Sequence, residues 1–164
     1  MRRPSPLPAG PGQESVWDYP RPAVLEEWPG VLRVELGGLV VAETGHGFRV
    51  LETSHPPSYY LPPGDCDERL FTRASGRSFC EWKGQAHYWT VTVGEHVVEG
   101  GVWSYPQPSP SFASLRDHRA FYPHLFECYV DDERARPQAG GFYGGWITDR
   151  VVGPFKGEPG TRGW

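Results

Sequence analysis

Glu52, His55 and Lys83 are the residues of this chain whose types and surroundings best suit moving a proton or holding an anion. Glu52 ends the run GFRVLET, in which Phe48, Val50 and Glu52 share one face because side chains alternate across a strand. If that face is interior, the carboxylate is partly desolvated and its pKa rises unless a cation or hydrogen-bond donors meet it. Lys83, on an expected tight turn beside Trp82, is the leading cation, and Arg49 is a second. An acid and a lysine held between rings suit acid-base chemistry or anion binding. The same charges buried as an ion pair would do no more than fix strand register.

His55 lies in ETSHPPSYYLPP, where Pro56 biases it to an extended backbone and Pro56-Pro57 stiffens the rest of the loop. A rigid loop holds side chains at small entropic cost, as a preorganised site needs, although a histidine at a strand end also serves as a plain backbone partner. Tyr59, Tyr60 and Tyr88 can donate hydrogen bonds inside an apolar cavity or simply fill a core. Cys80, on the face opposite Phe79 and Glu81, is either a thiol activated by a nearby lysine or a small hydrophobe. Glu52, His55, His87 and His96 have no ligand-like spacing, so neither a metal nor another cofactor is expected.

Several functions are disfavoured by what the sequence lacks. A net charge of -4 and a pI near 5.8 provide no basic field for nucleic acid. There is no G-x-x-x-x-G-K-[ST] loop, no G-x-G-x-x-G after a strand and no G-x-S-x-G elbow. GGFYGGW alternates glycine with rings, which suits close packing better than phosphate binding. Cys66, Cys80 and Cys128 are odd in number and unpaired in spacing, which fits reduced thiols in the cytoplasm. No apolar run approaches the ~20 residues of a membrane helix, and MRRPSPLPAGPGQ lacks the apolar segment of a signal peptide. The expectation is a soluble cytoplasmic protein, monomeric or homodimeric, that takes a small-molecule ligand and neither nucleic acid nor membrane.

The elements that must position these residues are mostly strands. With 21 Gly and 18 Pro in 164 residues, prolines interrupt nearly every helical window. Residues 1–14 are expected as a flexible Pro/Gly-rich tail, 15–157 as one domain and 158–164 as a C-terminal tail. VLRVELGGLVVAET is a hairpin turning at Gly37-Gly38. ERLFTRAS is expected to end a strand at Gly76, and RSFCEW, QAHYWTVTV and HVVEGGVWSY form a meander through turns at Lys83-Gly84 and Gly94-Glu95. On its middle strand, His87, Trp89, Val91 and Val93 are placed on the core side and Tyr88, Thr90 and Thr92 on the other. SPSFASLRDH is the one helix expected, and LFECYVDDERARP a hairpin turning at Asp131-Asp132. WDYPRP and WSYPQP echo one another but read as extended strips rather than as a duplication.

LRVELGGLVVAET, RVLETSHPPSYYLP, CEWKGQAHYWTVTV and WSYPQPSPSF…AFYPHLFECYVDDE together closely resemble the bacterial and fungal family called domain of unknown function 427 (DUF427), also carried under a nucleotidyltransferase-like label. The resemblance spans roughly Trp17 to Gly157. It implies a small, mainly β domain of strongly curved antiparallel sheets similar to the Mss4-like or β-tent group. That group often binds zinc through two C-x-x-C pairs, which are missing here, so the zinc is not carried over. Nucleotidyl transfer needs Mg²⁺-holding carboxylates and triphosphate contacts, and neither is evident in the sequence. Matching the family's motifs selects Arg49, Glu52, His55, Tyr60, Cys80, Lys83, Tyr88 and Trp103 as lining one cleft. The expected activity is metal-independent acid-base catalysis on a small organic metabolite by Glu52, His55 and Lys83, of isomerase, lyase, cyclase or hydrolase type. The alternative is a non-catalytic module that binds a small molecule or peptide.

Overall fold

The computed structural model describes residues 4–80 and 83–164. Its strands are β1 (Glu14–Ser15), β2 (Val24–Trp28), β3 (Leu32–Leu36), β4 (Leu39–Thr44), β5 (Gly47–Leu51), β6 (Ser58–Tyr60), β7 (Phe71–Cys80) and β8 (Gly84–Val93). Beyond these come β9 (His96–Ser104), β10 (Arg119–Phe121), β11 (Glu127–Val130), β12 (Glu133–Arg134), β13 (Arg136–Pro137), β14 (Trp146–Ile147) and β15 (Val151–Val152). The protein is mainly β, one small domain of several antiparallel sheets, with β1 and β15 pairing in parallel. Among the described residues, no helix is long and apolar enough to cross a membrane.

Turn chemistry sets the hairpins. Gly37 and Gly38 both have positive φ, as the tight turn between β3 and β4 requires. Asp131 and Asp132 adopt the same left-handed conformation between β11 and β12, a place where short polar side chains substitute for glycine. These hairpins share the sheet β12-β11-β3-β4.

A second sheet, β10-β9-β8-β7, meets a third, β2-β5-β6, at one bridge. There Leu61 N–H donates to Arg119 O (2.9 Å) and Arg119 N–H donates to Leu61 O (2.8 Å). The two sheets thereby act as one surface with two faces. Tyr59, Phe71, Val91, Val102 and Phe121 pack against Leu32, Val34, Val41, Cys128 and Val130 to form the main core. The opposite face presents Val50, Tyr60, Ala86, Trp103 and Ala120, covered in part by Phe112 and Leu115.

Four expectations need correction. ERLFTRAS and RSFCEW are not separate strands: Glu68–Leu70 form a 3-10 turn, Phe71–Cys80 form the single β7, and Gly76 (φ 105°) lies at a register shift between Arg73 and Arg77. Glu81 and Trp82, which belong to the expected Lys83-Gly84 turn, lie outside the described residues. SPSFASLRDH forms only a 3-10 segment, Pro110–Leu115, broken at Phe112, because burying Phe112 and Leu115 three residues apart matches that tighter spacing. His87, placed on the core side, is only half-buried and sits opposite Arg77 just beyond that shift, while Ala86 on the other face is fully covered. WDYPRP, expected as an extended strip like WSYPQP, begins instead in a 3-10 turn at Val16–Asp18, whereas Trp103 lies in β9.

Beyond residue 157 the chain turns back, so that Trp164 meets Trp17 edge-on at 5.4 Å and Thr161 is buried. At the other end, Leu7 N–H donates to Gly153 O.

Arg119 supports the bridge from its side chain as well. Its buried guanidinium lies 4.4 Å from the ring centroids of both Phe71 and Trp89 and pairs with Glu68 at 2.7 Å. Arg119→Ala is expected to lower the unfolding free energy by about 3 kcal/mol in a urea titration, through lost stacking, pairing and packing. Arg69→Ala, at an exposed pair with Asp67, should leave the midpoint unchanged. Indistinguishable midpoints for the two variants would count against the bridge as a support.

Candidate functional site

On the face away from the main core lies a cleft of about 360 Å³. Strand alternation delivers one wall: Val50 and Glu52 from β5 and its end, Ser58 and Tyr60 from β6, Tyr88 from β8, and Trp103 and Tyr105 from β9 and its end. Cys80 and Lys83 close it at the β7–β8 connection. Seven of the eight residues selected from the sequence therefore converge. Arg49 does not, because strand alternation turns it away from the face on which its neighbour Val50 lines the cleft. Its guanidinium instead pairs with Glu14 and Glu26 and lies 5.1 Å from the Trp28 ring centroid.

Glu52 and His55 are brought together by a tight turn. His55 N–H donates to Glu52 O (3.1 Å), and Ser54, buried with a φ of 73°, takes the third position in the manner of a type II turn. Both side chains reach the cleft, with His55 Nε2 3.9 Å from Glu52 Oε2. Among the described residues that is the one ion-pair contact of the Glu52 carboxylate. Lys83 is fixed through its backbone: its N–H donates to Cys80 O, and its carbonyl accepts from Ser109 N–H. The alternative of a buried Glu52–Lys83 ion pair is not formed within 4.0 Å.

The second wall comes from residues that the sequence marks only as a Gly- and aromatic-rich wrap: Gln138, Phe142, Tyr143, Gly144, Gly145 and Lys156. Trp146 pins this segment, donating from its backbone to Pro57 O and from its indole to Phe121 O. Gly144 lies flat against Trp103, where a Cβ would overlap the indole, and a Cβ on Gly145 would fall 2.5 Å from Pro56 Cγ. GGFYGGW is thus glycine-rich for close packing, as its alternation suggested. Tyr105 and Tyr122 complete the ring-lined walls, and nothing marked them in the sequence beyond being aromatic residues near a strand end.

Gln138 orients His55. Gly145 N–H donates to Gln138 Oε1, which identifies the other amide atom as nitrogen; that Nε2 donates to Lys156 O (2.6 Å) and faces His55 Nδ1 at 3.3 Å. Nδ1 is then the acceptor, and this network assigns the ring proton to Nε2, on the side of Glu52. Tyr143 packs edge-on against the imidazole at 5.0 Å. Trp103 Nε1 donates to Tyr60 Oη (3.3 Å), and Tyr88 Oη shares a hydrogen bond with Ser78 (2.6 Å).

Burial and three cations set the charge states. Burial raises the Glu52 pKa, and Lys83, Arg21 and Lys156 pull against it. Burial and then Lys156, Arg21 and Lys83 push the His55 pKa down to about 4, so the imidazole is neutral at pH 7. For Lys83, burial works against the ammonium, but Tyr60, Cys80 and Glu52 outweigh it and the net direction is up. Burial also raises the Tyr105 and Tyr122 hydroxyls. The site thus holds a carboxylate whose pKa burial raises, a neutral imidazole with its proton on the Glu52 side, and a charged lysine. Among the described residues, no cluster of three or more His, Cys, Asp or Glu side chains could hold a metal ion.

In a comparison with known families, residues 24–133, about two-thirds of the chain, match the model of a domain of unknown function, DUF427. The chain belongs to the DUF427 family. No curated protein gives a significant match. The matched segment contains one wall of the cleft; Gln138, Phe142–Gly145 and Lys156 lie beyond it.

Two consequences are measurable. The unfolded chain takes up a proton on histidine near pH 6.5, but folded His55 does so near pH 4, so its contribution to stability is full above pH 6.5 and is lost as pH falls toward 4. The unfolding free energy of His55→Gln relative to wild type should therefore change by up to about 3 kcal/mol across that window; a pH-independent difference would contradict a buried neutral imidazole. Gly144→Ala should displace the second wall, lowering stability by about 1–3 kcal/mol and shifting the Trp103 indole resonance. An unmoved resonance would mean that the two walls are not in contact.

Proposed function

We propose that the protein is a cofactor-independent enzyme that carries out acid-base chemistry on a small organic molecule. One observation carries this reading: Glu52 faces the cleft as a partly desolvated carboxylate with no cation paired to it among the described residues, beside an imidazole held neutral. A carboxylate of raised pKa is a better general base near neutral pH than an exposed one. Neutral His55, with its proton on Nε2, hydrogen-bonds a substrate oxygen without itself ionising, and Lys83 stabilises negative charge that develops there. Tyr60, Tyr88 and Trp103 orient the substrate, and Cys80 fills the wall beside Lys83. Proton abstraction followed by isomerisation or elimination fits these roles most directly.

A second reading, a non-catalytic binding module of the β-tent type for a small molecule or peptide, draws on a different feature. Phe142, which lines the cleft, is 77% exposed and meets Tyr143 edge-on. An exposed ring at the mouth of a groove suits recognition.

The test incubates the protein with a panel of small carbonyl and carboxyl compounds in D₂O and tracks deuterium incorporation or new product by NMR. The enzyme reading expects at least one conversion that falls by ~10³-fold or more in Glu52→Gln, with the melting temperature kept within a few degrees. Conversion equal in the variant, or none by the wild-type protein across the panel, would favour the binding module.

A further inference from the structure

The cleft's charges also indicate the class of molecule it takes, an inference that rests on the same site but not on its chemistry. Its lining residues of charged type are Glu52, Lys83 and Lys156, beside the neutral His55. The Lys156 ammonium is already committed, donating to the main-chain oxygen of Trp164 at 3.3 Å, and it also lies 5.6 Å from the Tyr143 ring centroid. Lys83 is different. Among the described residues its ammonium forms no ion pair or hydrogen bond, and it stands 6.0 Å from the Tyr105 ring centroid. An ammonium has three donors, and leaving them unmet in a partly desolvated cleft is costly unless a ligand supplies acceptors.

We infer that the cleft selects a small planar monoanion, an unsaturated or aromatic carboxylate, whose carboxylate group sits against the Lys83 ammonium while its flat body lies between the aromatic walls. The walls argue for planarity. Trp103 and Tyr122 pack against each other with 4.7 Å between centroids, and Tyr60 stands edge-on to Trp103 at 6.2 Å, so the three rings form one aromatic wall that a flat π-system can lie against. A single negative charge matches the one ammonium left without acceptors: Arg21 and Lys156, the other cations acting on Glu52, already donate to main-chain oxygens, and Glu52 itself would repel a dianion. A phosphate monoester fits poorly, because no arginine and no helix N-terminus lines the cleft among the described residues. The cavity of about 360 Å³ is at the small end of the range for small-molecule sites and admits one such molecule.

The experiment titrates the folded full chain at low ionic strength with benzoate and, separately, with benzamide, its neutral planar analogue, and monitors the Trp103 indole NMR resonance. Benzoate should give a saturable shift, with benzamide binding at least ~10-fold more weakly, and Lys83→Met should weaken benzoate by at least ~10-fold, or about 1.4 kcal/mol. Equal binding of the two probes, unchanged benzoate binding in Lys83→Met, or no saturable shift with benzoate would overturn the inference. Should Lys83→Met fail to fold, the comparison of the two probes on the wild-type protein decides alone. Glu52→Gln should bind benzoate at least as tightly as wild type. Retained binding with no Glu52-dependent conversion would remove the catalytic reading and leave this one standing, whereas conversion of neutral substrates alone would do the reverse.

Discussion

Two backbone hydrogen bonds, exchanged between Leu61 and Arg119, join sheets that would otherwise be separate ladders. Because side chains alternate, that junction settles which residues go where on both sides. Tyr59 and Phe121 are sent to the main core; Tyr60, Ala120 and Tyr122 are sent to the opposite face. A one-residue slip at this point would exchange the two sets and bury the cleft's tyrosine hydroxyls in an apolar core without partners. The Arg119 side chain, stacked between Phe71 and Trp89, braces the junction from the core side.

The cleft itself exists only because a second layer covers that outer face. Gln138 is almost fully buried and reaches Lys156, Gly145 and His55 at once, so one amide links the wrap to the rigid loop that carries His55. Paired glycines allow the wrap to approach Trp103 and Pro56 more closely than any side chain would permit. One wall thus belongs to the segment that defines the family and the other lies outside it.

Charge in this cleft is governed by burial and by the spacing of unlike groups rather than by ion pairing. Arg49 shows the contrary arrangement on the other face of the same strand, where two carboxylates hold it on site and the pairing is structural. Glu52, one strand position beyond Leu51 and facing the opposite way, has no such clamp. These two charged residues, close in sequence, therefore have different surroundings, set by the parity of their positions.

Much of the fold was legible locally. Gly37-Gly38 and Asp131-Asp132 announced their hairpins because a tight turn needs left-handed backbone, and few residues adopt it. The face of Phe48, Val50 and Glu52 came from alternation, and the same alternation puts Arg49 on the wrong side for a cleft residue. The merger of β7 was not legible, since a glycine that ends a strand and one that bulges within it look alike in sequence. Composition and turn residues determined a β domain, and the clustering of Glu52, His55, Cys80, Lys83 and Tyr88 near strand ends marked one wall of a cleft. Only the tertiary structure decided that Gln138, Tyr143 and Lys156 form the other wall, that Tyr105 and Tyr122 line the cleft, and that Glu52 has no paired cation among the described residues. These depend on contacts between residues far apart in the chain, such as Gln138 with His55, which no local pattern encodes.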